Sequence, residues 1–467
     1  MQKSRTAVFS IFVCLSASAL SQGDPETNKR IIDIGIKNNQ TMAILKEVTH
    51  KIGARLTSSP ALDKSMDWAM SKFKSYGCTN VHLEQWGEWA VGFQRGAKQS
   101  AKMISPWKAD MVFTSPSWTP GTNGPLRGPA VLAPTTMEEF EKVKDKLKGA
   151  WVVSAGGGGG RGAAPSDLDT AINNAGIAGR VSGSRNELVI TSGNYRIEWD
   201  KLPTLRRVIV RKSDFDSIML AINTNRPCEL EFEMQQSFVQ GPRKLSNVVA
   251  EIKGTEKPDE VVIVSGHLDS WDGPGSQGAL DNGTGISVAI ECARILGKAG
   301  AKPKRTIRFI LWTGEEQGLF GSTAYVQQHK DELSKISAVF VDDGGTNYQG
   351  GVSCTAAMEP VLRAARAPLE GYFADMPFEF KVVNRIPRGG GSDHAPFNAQ
   401  GVPGFFWFET GRSDYNFVHH TQHDSYDKAI PEYLVQSSVN SAVMSYNLAC
   451  APTLLPREAP VVPPPSK

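Results

Sequence analysis

Cysteine is scarce in this sequence, and the few cysteines are too far apart to form a thiolate metal site or a redox motif. The chain has 467 residues and six cysteines, and no C-x-x-C spacing occurs. Such spacings mark zinc ribbons and redox-active pairs, so neither kind of site is expected. Removal of the amino-terminal segment described below leaves five cysteines, an odd number that cannot all pair within one chain. We expect Cys292, inside an apolar helical pattern, to be a buried thiol, and we assign no cysteine a catalytic role.

The sequence also lacks an excess of charge of either sign. It has 51 Lys and Arg against 48 Asp and Glu, a formal net charge of +3. A nearly neutral chain does not have the electrostatic footprint of a protein that wraps nucleic acid, so we expect no nucleic-acid partner. Hydrophobic residues make up 40% of the chain, which is enough for a substantial core.

Long apolar runs are missing except at the amino terminus. Lys3 and Arg5 precede an apolar run over residues 7–20 that ends in small residues. This arrangement is typical of a secretory signal peptide, here with cleavage after Ser21. The run is shorter than the roughly 20 residues of a membrane-spanning helix. The sequence therefore predicts no membrane anchor and a secreted or periplasmic location.

The sequence pattern changes several times along the chain. Residues 29–76 have a helical pattern, whereas residues 117–238 contain short strand-like runs, 187–191 among them, with one plausible helix at 171–175. We interpret the latter stretch as a β-rich module inserted into a larger domain. The glycine run 156–160 is predicted to be a loop, because the Lys and Ser or Thr of a phosphate-binding loop do not follow it. The predicted division is 1–21 signal peptide, 22–116 amino-terminal part of the main domain, 117–238 insert, 239–455 catalytic domain and 456–467 proline-rich tail.

Beyond residue 242, strands and helices alternate. The near-continuous apolar runs at 247–252, 261–265 and 306–312 are typical of strands that are covered on both faces. Helical patterns alternate with them, and they predict a three-layer α/β domain. These patterns cover residues 285–296, 319–329, 358–367 and 433–447.

Potential metal ligands follow several of these strands. Open α/β sheets bind their ligands at the carboxyl ends of the strands. The candidates are His267 and Asp269 after the second strand, Asp281 before a helix, Glu315 and Glu316 after the third strand, Asp343 after a strand at 338–341, and His420 in a histidine-rich loop.

Each candidate alone has an ordinary structural explanation: Asp281, for example, could cap its helix. Together, two imidazoles and three carboxylates, one of them shared, are what a pair of divalent ions about 3.5–4 Å apart requires. A structural zinc site would be closed by four Cys or His ligands and would leave no position for substrate.

With their spacing, these residues resemble the co-catalytic di-zinc aminopeptidase family, and within it most nearly the carboxypeptidase Q branch. The strings GHLDSWD, LWTGEEQG and HHTQHDS carry the resemblance, together with Gly391-Ser392-Asp393-His394. It implies a three-layer α/β/α zinc-exopeptidase fold with a mixed sheet, in which the β-rich insert is a protease-associated domain. It also implies a homodimer.

The resemblance further implies two Zn²⁺ per chain, although carboxylate-rich sites of this kind also accept cobalt or manganese. By this resemblance Glu315 is the general base that acts on a metal-bridging water. Asp342 and His419 stand beside two of the ligands, and they leave a one-residue alternative open. The implied roles are Asp281 bridging both ions, His267 and Asp343 on one ion, Glu316 and His420 on the other, Asp269 and Asp424 orienting the histidines, and Asp393 and His394 supporting the substrate or the surroundings of the metals.

The function predicted from the sequence is a secreted di-zinc exopeptidase that hydrolyses dipeptides or short peptides with a free amino terminus. One alternative is a carboxypeptidase that binds the free carboxyl terminus through Arg385, Arg388 or Arg412. A single-zinc glutaminyl cyclase is less compatible with ligands for two ions. A transferrin-receptor-like binding protein on the same fold is the alternative without catalysis.

Overall fold

The computed structural model describes residues 22–154 and 166–457. The predicted signal peptide, the glycine run and most of the proline-rich tail lie outside the described residues. In the two described stretches, no helix is both long enough and apolar enough to cross a membrane. The helices are α1 Pro25–Lys37, α2 Thr41–Glu47, α3 Pro60–Ser75, α4 Met137–Leu147, α5 Asp167–Asn174, α6 Lys212–Asn223, α7 Thr284–Lys298, α8 Phe320–Gln328, α9 Glu359–Arg366, α10 Ala395–Ala399, α11 Tyr415–Val418 and α12 Pro431–Cys450.

The strands fall into one large sheet and two small ones. They are β1 Thr79–Ser105, β2 Ala109–Asp110, β3 Phe113–Thr114, β4 Leu126–Leu132, β5 Trp151–Ser154, β6 Gly179–Gly183, β7 Arg207–Val210, β8 Glu229–Ile252, β9 Lys257–His267, β10 Arg305–Trp312, β11 Ile336–Val341, β12 Tyr348–Gln349, β13 Gly351–Cys354, β14 Glu379–Val382, β15 Gly404–Phe406 and β16 Glu409–Thr410.

The catalytic part of the large sheet is mixed. Strands β15, β11, β9 and β10 are parallel, and β8 and then β1 continue the sheet antiparallel. Val262 and Val264 of β9 face the core under α1, α2, α3, α7 and α12, whereas Ile263 faces the core under α8 and α10. Burial on both faces explains the near-continuous apolar runs of these strands. The predicted three-layer α/β/α fold with a mixed sheet is confirmed.

A second module, on strands β4 to β7, has a core of its own. Strands β4, β5, β6 and β7 are parallel neighbours, and β4 pairs with the amino-terminal end of β8. Trp151 packs with Phe232 and α6 on one face, and Val152 packs with α5 on the other. Because β8 runs on from this module into the catalytic sheet, the backbone marks no break at the predicted limit after residue 238. At the other limit, β3 pairs with β7 although it precedes residue 117. Those limits, and the assignment as a protease-associated domain, stay predictions.

Within this module the structure differs from the sequence prediction in three ways, the first being strand β6, which was not predicted. Helices α4 and α6 were not predicted, although Thr136 accepts from the backbone N–H of Glu139, a capping pattern visible in the sequence. The strand predicted at 187–191 is wrong: the segment pairs with no strand among the described residues. Its N–H groups bond instead to a loop of the catalytic domain, which sequence periodicity cannot show.

All five cysteines in the described part of the chain are buried and unpaired, as predicted for Cys292. Burial raises the pKa of Cys78 to about 12, so the reactive thiolate is scarce at neutral pH. We expect the folded chain from residue 22 onward to be nearly inert to a thiol reagent. In guanidinium without reductant it should release five thiols per chain. A smaller number would reveal a disulfide and contradict the structure.

Candidate active site

The predicted ligands converge at one edge of the catalytic sheet. His267 ends β9, Glu316 follows β10 in a tight turn, and Asp343 follows β11. These strands are parallel neighbours, so their carboxyl ends meet. Asp281 lies in the turn before α7, and His420 lies in the loop after α11. The structure thus brings all five together, although they are up to 153 residues apart in the sequence (420 − 267).

Asp281 stands between two histidine–carboxylate pairs. Its Oδ1 is 3.2 Å from His267 Nε2, and its Oδ2 is 3.3 Å from His420 Nε2. His267 Nε2 is also 3.0 Å from Asp343 Oδ1, and His420 Nε2 is 2.8 Å from Glu316 Oε2. One carboxylate therefore presents an oxygen to each pair, which is the arrangement of a ligand shared by two metal ions.

The donor set fits metal ions. Ligands that share one zinc ion at about 2.0–2.2 Å lie roughly 3 Å from one another, as these atoms do. Asp281 Oδ2 and Glu316 Oε1 are buried without a hydrogen-bond partner among the described residues, so each keeps a lone pair for a cation. His267, Asp281 and Asp343 form one compact ligand group, and Asp281, His419 and His420 form a second.

The structure separates the neighbouring alternatives. Asp342 turns away from the site, and its Oδ2 accepts from Gln349 Nε2 at 2.7 Å, which leaves Asp343 as the ligand candidate. His419 Nε2 lies 3.9 Å from Asp281 Oδ2 on a ring that is 45% exposed. His420 is closer to Asp281 and also contacts Glu316, so we keep it as the ligand candidate. His419 forms part of the cavity wall beside it.

Without cations the site is electrostatically frustrated. Burial raises the pKa of Glu315 well above its usual value, and the neighbouring Asp343 and Glu316 raise it further, although His267 opposes them. Burial and then Asp281 raise the pKa of Glu316 in the same way. Burial alone would lower the pKa of His267, but Asp343 and Glu315 raise it well above normal. Bound divalent ions would relieve this repulsion, because they neutralise the carboxylates.

The carboxylates of Asp269 and Asp424 accept hydrogen bonds from backbone N–H groups rather than from the imidazoles of the candidate ligands. The Asp269 carboxylate accepts from the N–H groups of Glu315 and Glu316, both at 3.3 Å, whereas His267 Nδ1 lies nearest the Asp269 carbonyl oxygen, at 3.0 Å. Asp424 Oδ1 accepts from Leu280 N at 2.6 Å, so it fixes the turn that carries Asp281. Both residues position the ligands through the main chain. The sequence predicted their presence at the site but not this mode of action.

Arg55 is a functional residue that the sequence did not reveal. Its guanidinium is fully buried and donates to Leu268 O and Gly278 O, both at 2.7 Å, and to Gln277 O at 3.2 Å. It thereby ties the loop after His267 to the turn before Asp281. Burial lowers its pKa to about 10, and nearby carboxylates oppose that shift, so it stays charged. No motif marks Arg55, because its partners are backbone carbonyls.

A cavity of about 540 Å³ opens onto the ligands. His394 lies in its wall, as do Tyr415 and Glu315. Asp393 is fully buried behind the wall, where it accepts from the Ser322 hydroxyl, and burial raises its pKa to about 8. Tyr415 was not predicted, and nothing in its sequence context distinguishes it from a core aromatic. Apolar side chains also line the cavity: Ile386, Pro387, Phe405, Phe406 and Phe408.

Comparison with known proteins agrees with this geometry. Residues 247–444, which include every candidate ligand, match the model of peptidase family M28. This part of the chain is therefore similar to the M28 peptidases. Carboxypeptidase Q of Xenopus laevis is 28% identical over 443 residues, which cover 92% of this chain and 90% of the relative.

Solved structures show the same fold. The crystal structure of a peptidase M28 precursor from Shewanella amazonensis has a TM-score of 0.66 at 24% identity, over 93% of this chain and 99% of that one. The zinc aminopeptidase BSAP from Bacillus subtilis has a TM-score of 0.55 at 21% identity, over 87% and 94%. The predicted resemblance to carboxypeptidase Q and to the zinc aminopeptidases is confirmed, and so is the prediction of a metallopeptidase related to zinc exopeptidases.

The buried acids make the metal-free protein sensitive to pH. Burial raises the pKa of Asp424 to about 7 and that of Asp393 to about 8, so these groups must ionise at a cost inside the fold as the pH rises. The raised pKa of His267 acts in the same direction, because its charged form is lost as the pH rises. We expect the thermal midpoint of chelator-treated protein to fall between about pH 5 and pH 8.

Added zinc should raise that midpoint more at pH 8 than at pH 5, because metal ions replace the protons. Differential scanning calorimetry with and without zinc checks both trends. A metal-free midpoint that rises steadily over this range would contradict the buried-acid cluster.

Proposed function

We propose that this M28-like domain is a zinc exopeptidase that binds two Zn²⁺ and cleaves the amino-terminal residue from dipeptides or short peptides. The observation that carries the proposal is the position of Asp281, with one oxygen toward His267 and Asp343 and the other toward His420 and Glu316. A single ion would engage only one of the two histidine–carboxylate pairs.

In the proposed site Asp281 would be shared by the two ions, His267 and Asp343 would hold one ion, and Glu316 and His420 would hold the other. When bound, zinc lowers the pKa of water and polarises a carbonyl oxygen. Glu315 lines the same cavity and accepts the proton of the attacking water, and it then donates that proton to the amine that leaves.

The walls of the cavity favour a substrate amino group over a carboxylate. Four carboxylates line the cavity, and the described lining contains no Lys or Arg. Arg388 lines a separate, neighbouring pocket, and Arg412 pairs with Glu432 on the surface at 2.7 Å. Binding of a carboxyl terminus normally uses an arginine fork, so the aminopeptidase direction is the better supported one. The apolar wall suits an apolar amino-terminal side chain.

We also propose that the protein is exported and that two chains associate as a homodimer. The signal-peptide pattern supports secretion, or location in a periplasm, as the compartment of the enzyme. Resemblance to the carboxypeptidase Q branch supports a homodimer. Cobalt or manganese in place of zinc would use the same oxygen and nitrogen donors.

The role of Glu315 is tested by Glu315→Gln, which keeps the shape but cannot accept the proton. We expect kcat to fall by about 10²- to 10⁴-fold while zinc content stays at two per chain. Stopped assays and metal analysis on the same preparation check this. Glu370→Gln, at an exposed glutamate outside the cavity, is the control and should keep full activity. Unchanged turnover in Glu315→Gln would refute the mechanism.

The direction of cleavage is tested with one leucine-led dipeptide in three forms: free at both ends, amino-acetylated and carboxyl-amidated. We expect hydrolysis of the free and amidated forms but not of the acetylated form, because only acetylation removes the cation that the carboxylates attract. A chelator should abolish all cleavage. Loss with the amidated form instead would favour the carboxypeptidase alternative, and no chelator-sensitive cleavage would favour a binding protein.

A further inference from the structure

The inserted module reaches the proposed metal site through one extended segment, residues 187–193. Val189 is 1% exposed and Thr191 is 2% exposed, whereas Ile190 between them is 53% exposed. This alternation is that of a strand whose alternate residues face a partner. The partner here is the loop that carries His420.

Three hydrogen bonds join this segment to the loop. Thr191 N donates to His420 O at 2.9 Å. The Gln422 side chain makes the other two: its Oε1 accepts from Val189 N at 2.9 Å, and its Nε2 donates to Glu187 O at 3.0 Å. The Gln422 side chain thus makes the pair of hydrogen bonds that the main chain of a neighbouring strand would make. The third bond, from Thr191 N, is accepted by the backbone carbonyl of His420, a candidate ligand.

His420 needs such support. Its φ of +60° lies in the left-handed region, which residues other than glycine rarely adopt without a constraint from their surroundings. Its imidazole must still face Glu316 and Asp281 on the inner side. Its carbonyl points the other way, to the inserted module, so the two sides of the residue are held by different parts of the chain.

The segment is itself anchored. Ser117 N donates to Ser192 O at 2.8 Å, and the Thr191 and Thr114 hydroxyl groups are hydrogen-bonded at 2.8 Å. Thr191 also packs against Gly273, where an added Cβ would overlap its hydroxyl oxygen. Gly273 lies in the loop that follows His267. The segment therefore contacts loops from both sides of the proposed two-metal site.

We propose that residues 187–193 are a positioning strap, through which the inserted module fixes the His420 loop in the geometry that binds metal. The insert is then a working part of the peptidase site rather than an appended module. This inference rests on the two-metal site of the proposed function.

The test is Gln422→Ala in the full-length protein, which removes two of the three bonds and leaves every proposed ligand in place. We expect the affinity for the weaker-bound zinc, measured by competition with a chromophoric chelator, to fall by about 10- to 100-fold, as for other residues that orient metal ligands. Activity should fall at limiting zinc and recover in excess zinc. Gln422→Glu keeps the acceptor for Val189 N but loses the donor to Glu187 O, so it should lie in between.

Gln400→Ala, at an exposed glutamine away from the strap, is the matched control and should bind zinc as the unmodified protein does. Should Gln422→Ala fail to fold, the isosteric Gln422→Glu decides by the same zinc measurement. A variant with a lower thermal midpoint but an unchanged zinc affinity would show that the strap only docks the insert, and it would overturn the proposal. His420→Ala separates the two hypotheses: if it keeps both zinc ions with unchanged affinity, His420 is not a ligand and the proposed ligand set is wrong, whatever the strap does.

Discussion

The structure depends on how a buried group of carboxylates is tolerated. Asp269, Asp281, Glu316, Asp393 and Asp424 are all withdrawn from water near two histidines. Burial raises the pKa of Glu316, Asp393 and Asp424, because it disfavours their charged forms. A fold selected for stability alone would not collect them there. Divalent ions would make the arrangement favourable, and this requirement explains why strand ends, a turn and a distant loop all converge on a single point.

The residues around the proposed ligands position them mainly by hydrogen bonds to the backbone of the loops that carry them. Arg55 binds three carbonyl oxygens of two loops, Asp269 accepts from the turn after β10, and Asp424 accepts from the turn before α7. Backbone bonds of this kind fix loops more firmly than side-chain contacts do, because they restrain φ and ψ directly. The strap from the inserted module extends the same principle to His420. The proposed ligands are thereby preorganised, so little ordering is left for the metal ions to impose.

The lining of the cavity supports the proposed direction of cleavage. It contains four carboxylates, three of them proposed metal ligands, and three phenylalanines. The apolar lining suits an apolar first side chain, and the described lining offers no Lys or Arg that would bind a terminal carboxylate. The carboxypeptidase name of the full-length relatives belongs to those proteins, and the walls of this cavity argue for cleavage from the other end.

The sequence by itself determined the layered fold and a short set of candidate ligands. Apolar runs such as that of β9 depend only on burial on both faces of a sheet, and strand-end motifs such as Glu315-Glu316 depend on local order, so both can be recognised along the chain. Only the tertiary structure decided that Asp343 rather than Asp342 faces the site, and that Asp269 and Asp424 hold backbone. It alone showed that Arg55 and residues 187–193 belong to the site. Their partners at the site lie more than 200 residues away, and each of these bonds uses at least one backbone carbonyl or N–H, which leaves no trace in the sequence.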